Sequence, residues 1–121
     1  IDNITTSGDR RISYIIKNNL LPYSKSDGKK LINLEIDINK NKSIKEKNIK
    51  NEITKFEISI DAIVQYQSKK NGKFQISKQG DFNVSSQYSQ TLNNEKKLIE
   101  ILSESLAESI IEELILRVND T

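Results

Sequence analysis

The chain has 121 residues, which is enough for one hydrophobic core and too few for two. It contains neither cysteine nor histidine, which excludes disulfide bonds, thiolate nucleophiles and Cys-ligated zinc and removes the usual general base near neutral pH. The 19 basic and 17 acidic residues leave a net charge of +2, which by itself indicates no class of partner. The composition therefore argues against most enzymes and identifies no function.

The first elements are predicted to be an edge strand and a short amphipathic helix. Residues 1–5 suit the end of an edge strand. Ser7 is the expected acceptor for a free amide at the helix start, Asp9 falls in the first turn, and Pro22 ends the helix, so residues 8–21 are predicted to be helical. The apolar stripe of this helix consists of Ile12, Ile15, Ile16 and Leu20.

The second strand has the clearest pattern in the chain. A polar loop from Tyr23 to Lys30, with Asp27-Gly28 as its turn, leads into it. Four apolar residues then alternate with four polar ones over residues 32–39, which predicts one buried face and one wet face. The segment from Asn39 to Asn51 is rich in lysine, asparagine and serine, and we interpret it as a mobile connection.

The third and fourth strands are predicted to pair as an antiparallel ribbon. Residues 53–67 alternate again and would extend about 50 Å, so we expect this strand to bend or bulge. Asn71-Gly72 is the strongest short hairpin signal, and Gly80 is predicted to mark a bulge in the returning strand. Three aromatic residues share the phase of the aliphatic ones and are therefore predicted to be core: Tyr66, Phe74 and Phe82.

The last element is predicted to be a helix from about residue 94 to residue 118, about 37 Å long. An asparagine at its start serves as N-cap, and Leu92 is expected to pack back as a hydrophobic staple. Glutamates recur on one side, and this acidic face makes packing on the sheet more favourable than binding to an anionic membrane. The opposite, apolar stripe contains Ile99, Leu102, Leu106, Ile110 and Leu114.

The resulting order is β-α-β-β-β-α in a single domain over residues 1–121. Because each strand has one apolar face, both helices must cover the same face of a four-stranded, mostly antiparallel sheet. The predicted fold class is therefore α+β, a two-layer α/β sandwich whose other sheet face is solvated. The first crossover should be right-handed if the first two strands are parallel.

No catalytic, metal or cofactor site is predicted. Most of the 17 carboxylates fall on solvent faces of strands or of the last helix, and the four glycines are too scattered for a phosphate-binding loop. No apolar run approaches the roughly 20 residues needed to cross a bilayer. The chain starts at Ile1 without Met, so we expect targeting information to lie upstream.

The lysines are the one feature that indicates an anion-binding surface. Residues 1–91 hold 16 basic and 10 acidic residues, whereas residues 92–121 hold 3 and 7. A lipid phosphate is a plausible target for two groups, Lys40, Lys42, Lys45 and Lys47 in the connection and Lys69, Lys70 and Lys73 at the hairpin tip. The same lysines are also explained as solvated loop residues, or by the isoleucine, lysine and asparagine bias of an AT-rich genome. Nucleic-acid contacts would lack the aromatic platform on which single strands stack.

Two stretches of the sequence resemble a known family. The first runs from Gly80 to Ser89, reads GDFNVSSQYS, and precedes a helix that contains Leu106-Ala107-Glu108. It resembles the C-terminal half of lipopolysaccharide (LPS) assembly lipoproteins of the LptE type, particularly the alphaproteobacterial branch, in which a YNVxSSxYA-like strand end leads into an LAxxIxxxL helix. The second stretch is the front half, where the first helix and residues 54–66 are similar to that family, with Lys55 in place of its arginine.

The resemblance implies a non-enzymatic lipoprotein that plugs and supports the outer-membrane LPS translocon barrel, of the LptD type, and helps deliver LPS to the cell surface. It implies a lipid on a cysteine upstream of Ile1, a place on the periplasmic side of the outer membrane, and binding of LPS itself. Membrane contact would be through that lipid alone, and nucleic acid is not an expected partner. The alternative is a periplasmic accessory or substrate-binding module of a transport system, and a small nucleic-acid-binding domain is a third, weaker interpretation.

A plug inside a polar barrel should present a mixed polar surface and no large apolar patch. The outward rows of the second and third strands have that character. We expect this sheet face, or the loops at one of its ends, to contact the barrel through Asn33, Glu35, Asp37, Lys55, Glu57 and Asp61.

Overall fold

The structure is a computed structural model that describes residues 3–24 and 32–119. The order β-α-β-β-β-α confirms the prediction from the sequence. A single 3-10 turn follows the first helix, and the predicted turn at Asp27-Gly28 lies outside the described residues. The elements are β1 (Asn3–Gly8), α1 (Arg10–Leu20), the 3-10 turn (Leu21–Ser24), β2 (Asn33–Lys47), β3 (Ile53–Gln67), β4 (Asn71–Asn83) and α2 (Tyr88–Asn119).

The four strands form one sheet in the order β1-β2-β3-β4. β1 pairs with β2 in parallel, and the other two pairs are antiparallel, so the sheet is mostly antiparallel as predicted. Even-numbered strand residues face the helices and build one core with the apolar stripes of α1 and α2. The most deeply buried members are Ile12, Ile16, Leu20, Leu34, Ile36, Ile58, Ile60, Val64, Leu106 and Ile110. The two-layer α+β sandwich is thereby confirmed.

The junction between β1 and α1 differs in detail from the prediction. Asp9, and not Ser7, caps the helix, because its carboxylate accepts a hydrogen bond from the Ile12 amide at 3.0 Å. Ser7 remains in β1, where its hydroxyl donates to Asp37. Between them Gly8 adopts φ +103°, and a Cβ there would overlap the Ile38 carbonyl. Only glycine allows the chain to leave the sheet at this point.

The predicted mobile connection from Asn39 to Asn51 is wrong, because β2 continues to Lys47. Its residues pair with β3 in continuous register from Asn33↔Gln67 to Ile44↔Phe56, and the register shifts only near Glu46. Pairing with β3 satisfies the backbone amides and carbonyls on one side of this segment and holds it in the sheet although its side chains are polar. The connection is therefore only the short turn between Lys47 and Ile53.

The hairpin between β3 and β4 also differs from the prediction. Gln67 pairs with Asn71, so the loop is Ser68–Lys70, and Asn71-Gly72 already belongs to β4. The register of β3 and β4 is unbroken, so the bulge predicted at Gly80 is absent from it. Gly80 instead permits close packing, because a Cβ there would lie 2.8 Å from the Leu98 side chain of α2.

The final helix begins six residues before the predicted start. Thr91 holds the first turn through its hydroxyl, which accepts from the Ser85 amide at 2.8 Å. Asn94 is not an N-cap, and its side-chain amide donates to the Asn83 carbonyl at 3.1 Å. Leu92 is half exposed and does not act as a staple. The 32 residues of α2 extend about 48 Å, which matches the length of the ribbon beneath it.

Each end of the ribbon carries an aromatic pair and a cation on its helix side. Phe56 stacks on Phe82 with 5.6 Å between ring centroids, and the Lys42 ammonium lies 4.5 Å from the Phe56 centroid. At the other end Tyr66 and Phe74 are 6.2 Å apart, and the Arg117 guanidinium lies 4.9 Å from the Phe74 centroid. The predicted core positions Tyr66, Phe74 and Phe82 are thus confirmed as buried.

Candidate interaction surfaces

The outer face of the sheet is a polar surface held together by cross-strand contacts. Odd-numbered residues of all four strands point to it. Ser7 donates to Asp37 at 2.9 Å, and Ser77 donates to Asp61 in the neighbouring strand pair. Such contacts between register neighbours fix the polar side chains in place. The face is therefore an ordered hydrogen-bonded surface.

The structure brings the six predicted partner-facing residues together on this face. The three on β2 are exposed and the three on β3 are half-buried: Asn33, Glu35, Asp37, Lys55, Glu57 and Asp61. Ile63 is an apolar exception, flanked by its register partners Asp37 and Gln75. Their contact with a barrel stays a prediction.

Lys45 lies at the centre of the charges on this face. Its ammonium is 3.0 Å from Glu57 and 3.8 Å from Asp81. The hydrogen bond to Glu57, followed by the negative charge of that carboxylate, raises the pKa of Lys45 above its ordinary value. Close by, Lys55 and Glu46 form a second pair at 3.8 Å. The lysine remains protonated throughout the physiological range.

The predicted lysine group of β2 is divided between the two sides of the sheet. Lys40 and Lys42 have even numbers and lie on the helix side. Lys40 is 3.6 Å from Asp9 at the start of α1, and Lys42 pairs with Glu95 of α2. Lys45 is on the outer face, as described above. Since three of these four lysines already have carboxylate partners, they do not form one open cationic surface.

The second predicted lysine group lies at the opposite end of the sheet. Lys69 and Lys70 are in the β3–β4 loop and Lys73 follows it, all three exposed and without an ion pair within the described residues. About 45 Å of strand separates this loop from the turn after Lys47. The two lysine groups are therefore separate surfaces and cannot contact one anion together.

The turn between β2 and β3, residues 48–52, was not recognised in the sequence as an ordered feature. Asn48 organises it, because its side-chain carbonyl accepts hydrogen bonds from the amides of Lys50 and Glu52 at 3.0 and 2.9 Å. Asn51 adopts φ +65°, a conformation that asparagine tolerates. Ile49 is fully exposed at the tip. Two asparagines three positions apart are a turn signal that would have located it.

A shallow groove separates α1 from α2 on the side away from the sheet. Its α2 wall carries Glu104, Glu108 and Glu112, and Tyr23 lies at one end. A neighbouring depression is lined by Arg11 and Glu100, which form an ion pair of 3.2 Å. Within residues 3–24 and 32–119, no group of three or more acidic residues is arranged to hold a metal ion. No helix in that same part of the chain is long and apolar enough to cross a membrane.

No family model and no curated protein matches the sequence. Several solved structures do match the fold. Rare lipoprotein B from Shewanella oneidensis has a TM-score of 0.74 at 11% identity, over 97% of both chains. A candidate lipoprotein from Caulobacter crescentus gives 0.70 at 14% identity, over 97% of this chain and 90% of that one. A minor lipoprotein from Acinetobacter baumannii gives 0.66 at 11% identity, over 95% and 90%. The chain therefore has a fold that also occurs in bacterial lipoproteins.

Proposed function

We propose that this chain is an LPS-assembly lipoprotein of the LptE type. In this role it is not an enzyme. A lipid on an upstream cysteine anchors it on the periplasmic side of the outer membrane, and it plugs the LptD-type barrel and helps deliver LPS to the cell surface. The observation that carries the proposal is that a sequence resembling this family adopts a lipoprotein fold over nearly its whole length, 97% of both chains in the Shewanella comparison.

The outer sheet face supports the plug role. Its exposed residues are amides, hydroxyls and charges of both signs, and Ile63 is half-buried among them. A barrel lumen is polar, so the side chains that meet it must exchange hydrogen bonds with the wall without burying unpaired charge. Lys45, Lys55 and Glu57 already form ion pairs across strands, and Asp61 accepts a hydrogen bond from Ser77, so these groups can enter such a lumen with partners of their own.

The ion pairs of the lysines favour an LPS contact at the β3–β4 loop over one on β2. LPS carries phosphates, and a lysine binds them best when no carboxylate already neutralises it. Lys69, Lys70 and Lys73 meet this condition within the described residues, whereas Lys40, Lys42 and Lys45 do not. The β3–β4 loop is therefore the proposed LPS contact. It lies at the same end of the sheet as Asn3, close to where an upstream lipid would anchor the chain.

Co-purification with the barrel tests the proposal. The lipidated full-length protein is expressed with the LptD-type barrel of the same organism and extracted in mild detergent. The outer-face variant Asn33→Arg with Glu35→Arg places bulky charge on the face, and Glu104→Arg with Glu108→Arg makes a matched change on the exposed side of α2. We expect the first pair to reduce barrel recovery at least about tenfold, because it buries unpaired charge, and the second pair to leave it unchanged.

Thermal unfolding of each variant confirms that it is folded. The proposal is wrong if the unmodified lipoprotein does not recover the barrel, as expected of a periplasmic module with another partner. The assignment of the outer face is wrong if both variant pairs recover the barrel equally.

A further inference from the structure

Half of β2 has a free edge. β1 pairs with β2 only from Asn33 to Ile38, where Gly8 is the last partner. Beyond that point β2 continues for nine residues, 39–47, whose other edge is paired with β3. Among the residues that the structure describes, no strand lies beside the backbone amides and carbonyls on the side vacated by β1. A preformed strand with one open edge is the template on which an extended segment adds.

The free edge arises because β1 ends at Gly8. Gly8 turns the chain out of the sheet with φ +103° directly against the Ile38 carbonyl. α1 then begins at Arg10 and packs on the helix side, so it does not replace β1 along the edge. All nine residues from Asn39 to Lys47 are exposed, in contrast to the half-buried or buried β3 residues that face them. The edge is therefore open along about 30 Å.

The charges on this edge determine which segment fits it. Residues 39–47 carry four lysines and one glutamate, a net charge of +3, and Lys47 has no carboxylate within 4 Å in the described chain. A second copy of β2 would place these lysines opposite one another, which is destabilising. A segment with carboxylates on alternate residues has the complementary charge.

The free edges of the two outer strands are poorer matches, because β1 carries no charged residue and β4 carries few. β4 carries two lysines and one aspartate over its 13 residues, a net charge of +1. Residues 39–47 of β2 carry a net charge of +3 on nine residues. Ile44, which is half exposed on the helix side, adds an apolar contact. Residues 39–44 are moreover the regular part of the edge, because the register shifts lie beyond Ile44.

We propose that residues 39–47 of β2 are a strand-addition site for an extended acidic segment of another protein, whose main chain pairs along the regular stretch 39–44 and one of whose carboxylates meets Lys47. The added strand lies end to end with β1 and completes the row that β1 begins. Its main chain bonds to alternate residues of the edge, and one of its carboxylates pairs with Lys47, the lysine of this stretch that has no carboxylate partner within the described residues. The inference concerns this edge alone and does not rest on the translocon role.

Amide hydrogen exchange measured by NMR on the ¹⁵N-labelled chain tests the site. The probe is the capped nine-residue peptide Thr-Glu-Val-Glu-Thr-Glu-Val-Glu-Thr. We expect alternate amides within residues 39–44 to exchange at least about tenfold more slowly with the peptide present, because each gains a hydrogen bond inside a ladder. Only alternate amides of the added peptide face β2. N-methylation of the odd-numbered peptide residues or of the even-numbered ones should therefore abolish the protection in one case and preserve it in the other.

Two protein variants supply the matched comparison. Lys47→Glu should weaken peptide binding about fivefold, because it reverses the one unpaired charge of the edge. Lys73→Glu makes the same change on β4 and should leave the affinity unchanged. A peptide with lysine for glutamate should not bind. The proposal is overturned if no amide of 39–44 is protected, if β4 is protected instead, if both N-methylated peptides bind like the parent, or if the chain dimerises through this edge.

Discussion

The ammonium group of Lys42 lies 4.5 Å from the centre of the Phe56 ring and pairs with Glu95. The same ammonium lies 5.5 Å from the Phe82 centroid, so the cation contacts both rings of the stacked pair. A lysine that the sequence identified as a candidate anion ligand is thus a structural residue. The same arrangement recurs at the other end of the ribbon, where Arg117 covers Phe74.

We predict that Lys42→Ala lowers the free energy of unfolding by about 1 kcal/mol, since it removes a cation–π contact and a partly exposed ion pair. Lys40→Ala is the matched control, because Lys40 has an ion pair and no aromatic ring within the described contacts. Urea denaturation measures both. Equal losses in the two variants would contradict the structural role of Lys42.

A second prediction concerns Gly8. Gly8→Ala should cost at least about 2 kcal/mol of stability, because it places a side chain at φ +103° and against the backbone of Ile38. Gly80→Ala is the control. Its Cβ meets only the flexible end of Leu98, so the expected cost is about 1 kcal/mol or less. The two midpoints of urea unfolding should separate clearly, and similar midpoints would show that β1 leaves the sheet in another way.

Ser103 gives a prediction of the opposite sign. Its side chain is fully buried in α2, and its hydroxyl has no hydrogen-bond partner within the described residues. Ser103→Ala should therefore stabilise the domain by about 1 kcal/mol, because it removes an unsatisfied polar group and introduces a better helix former. Ser105, half-buried on the same helix, is the comparison and should change less on replacement by alanine. A destabilised Ser103→Ala variant would mean that the hydroxyl is bonded in solution.

The raised pKa of Lys45 predicts a dependence on alkaline pH. A cation whose pKa is higher in the folded state stabilises that state fully below the unfolded pKa, near 10.5, and loses this contribution as pH rises through the folded value. The unfolding temperature of Lys45→Met should therefore lie below that of the unmodified chain at pH 8, and the gap should close as the pH rises above 10.5 and through the folded pKa. Lys47→Met, which removes a lysine without an ion pair in the described chain, should show no such gap. A gap that persists at high pH would exclude the pairing with Glu57 as its cause.

The proposed LPS contact at the β3–β4 loop predicts which lysines LPS binding should depend on. Replacing Lys69, Lys70 and Lys73 together by serine should weaken LPS binding at least about tenfold, because three unpaired charges are lost at one loop. Replacing Lys40 and Lys45 by serine should change it little, since both already pair with carboxylates. Binding to immobilised LPS at two salt concentrations measures both. If the Lys40 and Lys45 variant lost more LPS binding than the Lys69, Lys70 and Lys73 variant, the LPS contact would lie on β2.

The fold was predictable because the alternation in residues 32–38 and 53–67 and the stripe of α2 are long, regular patterns. The end of β2 was not, because Lys40 and Lys42 occupy the even positions that hold buried apolar residues earlier in the strand, and Lys45 and Lys47 occupy odd ones, so the period of two disappears. Only pairing with β3 reveals the strand. The six outward residues follow directly from the alternation, whereas the carboxylates beside Lys40 and Lys42 come from α1 and α2, far away in the chain.

The unbroken β3 has a mechanical consequence. It runs from Ile53 to Gln67 between two partner strands, and α2 lies along the same ribbon for about 48 Å. The ribbon and α2 therefore form one long, stiff unit. The hydrogen-bonded ladder joins the loop at Lys69 to the turn at Ile49. A protein or lipid bound to the loop would therefore also fix the position of Ile49 at the far end.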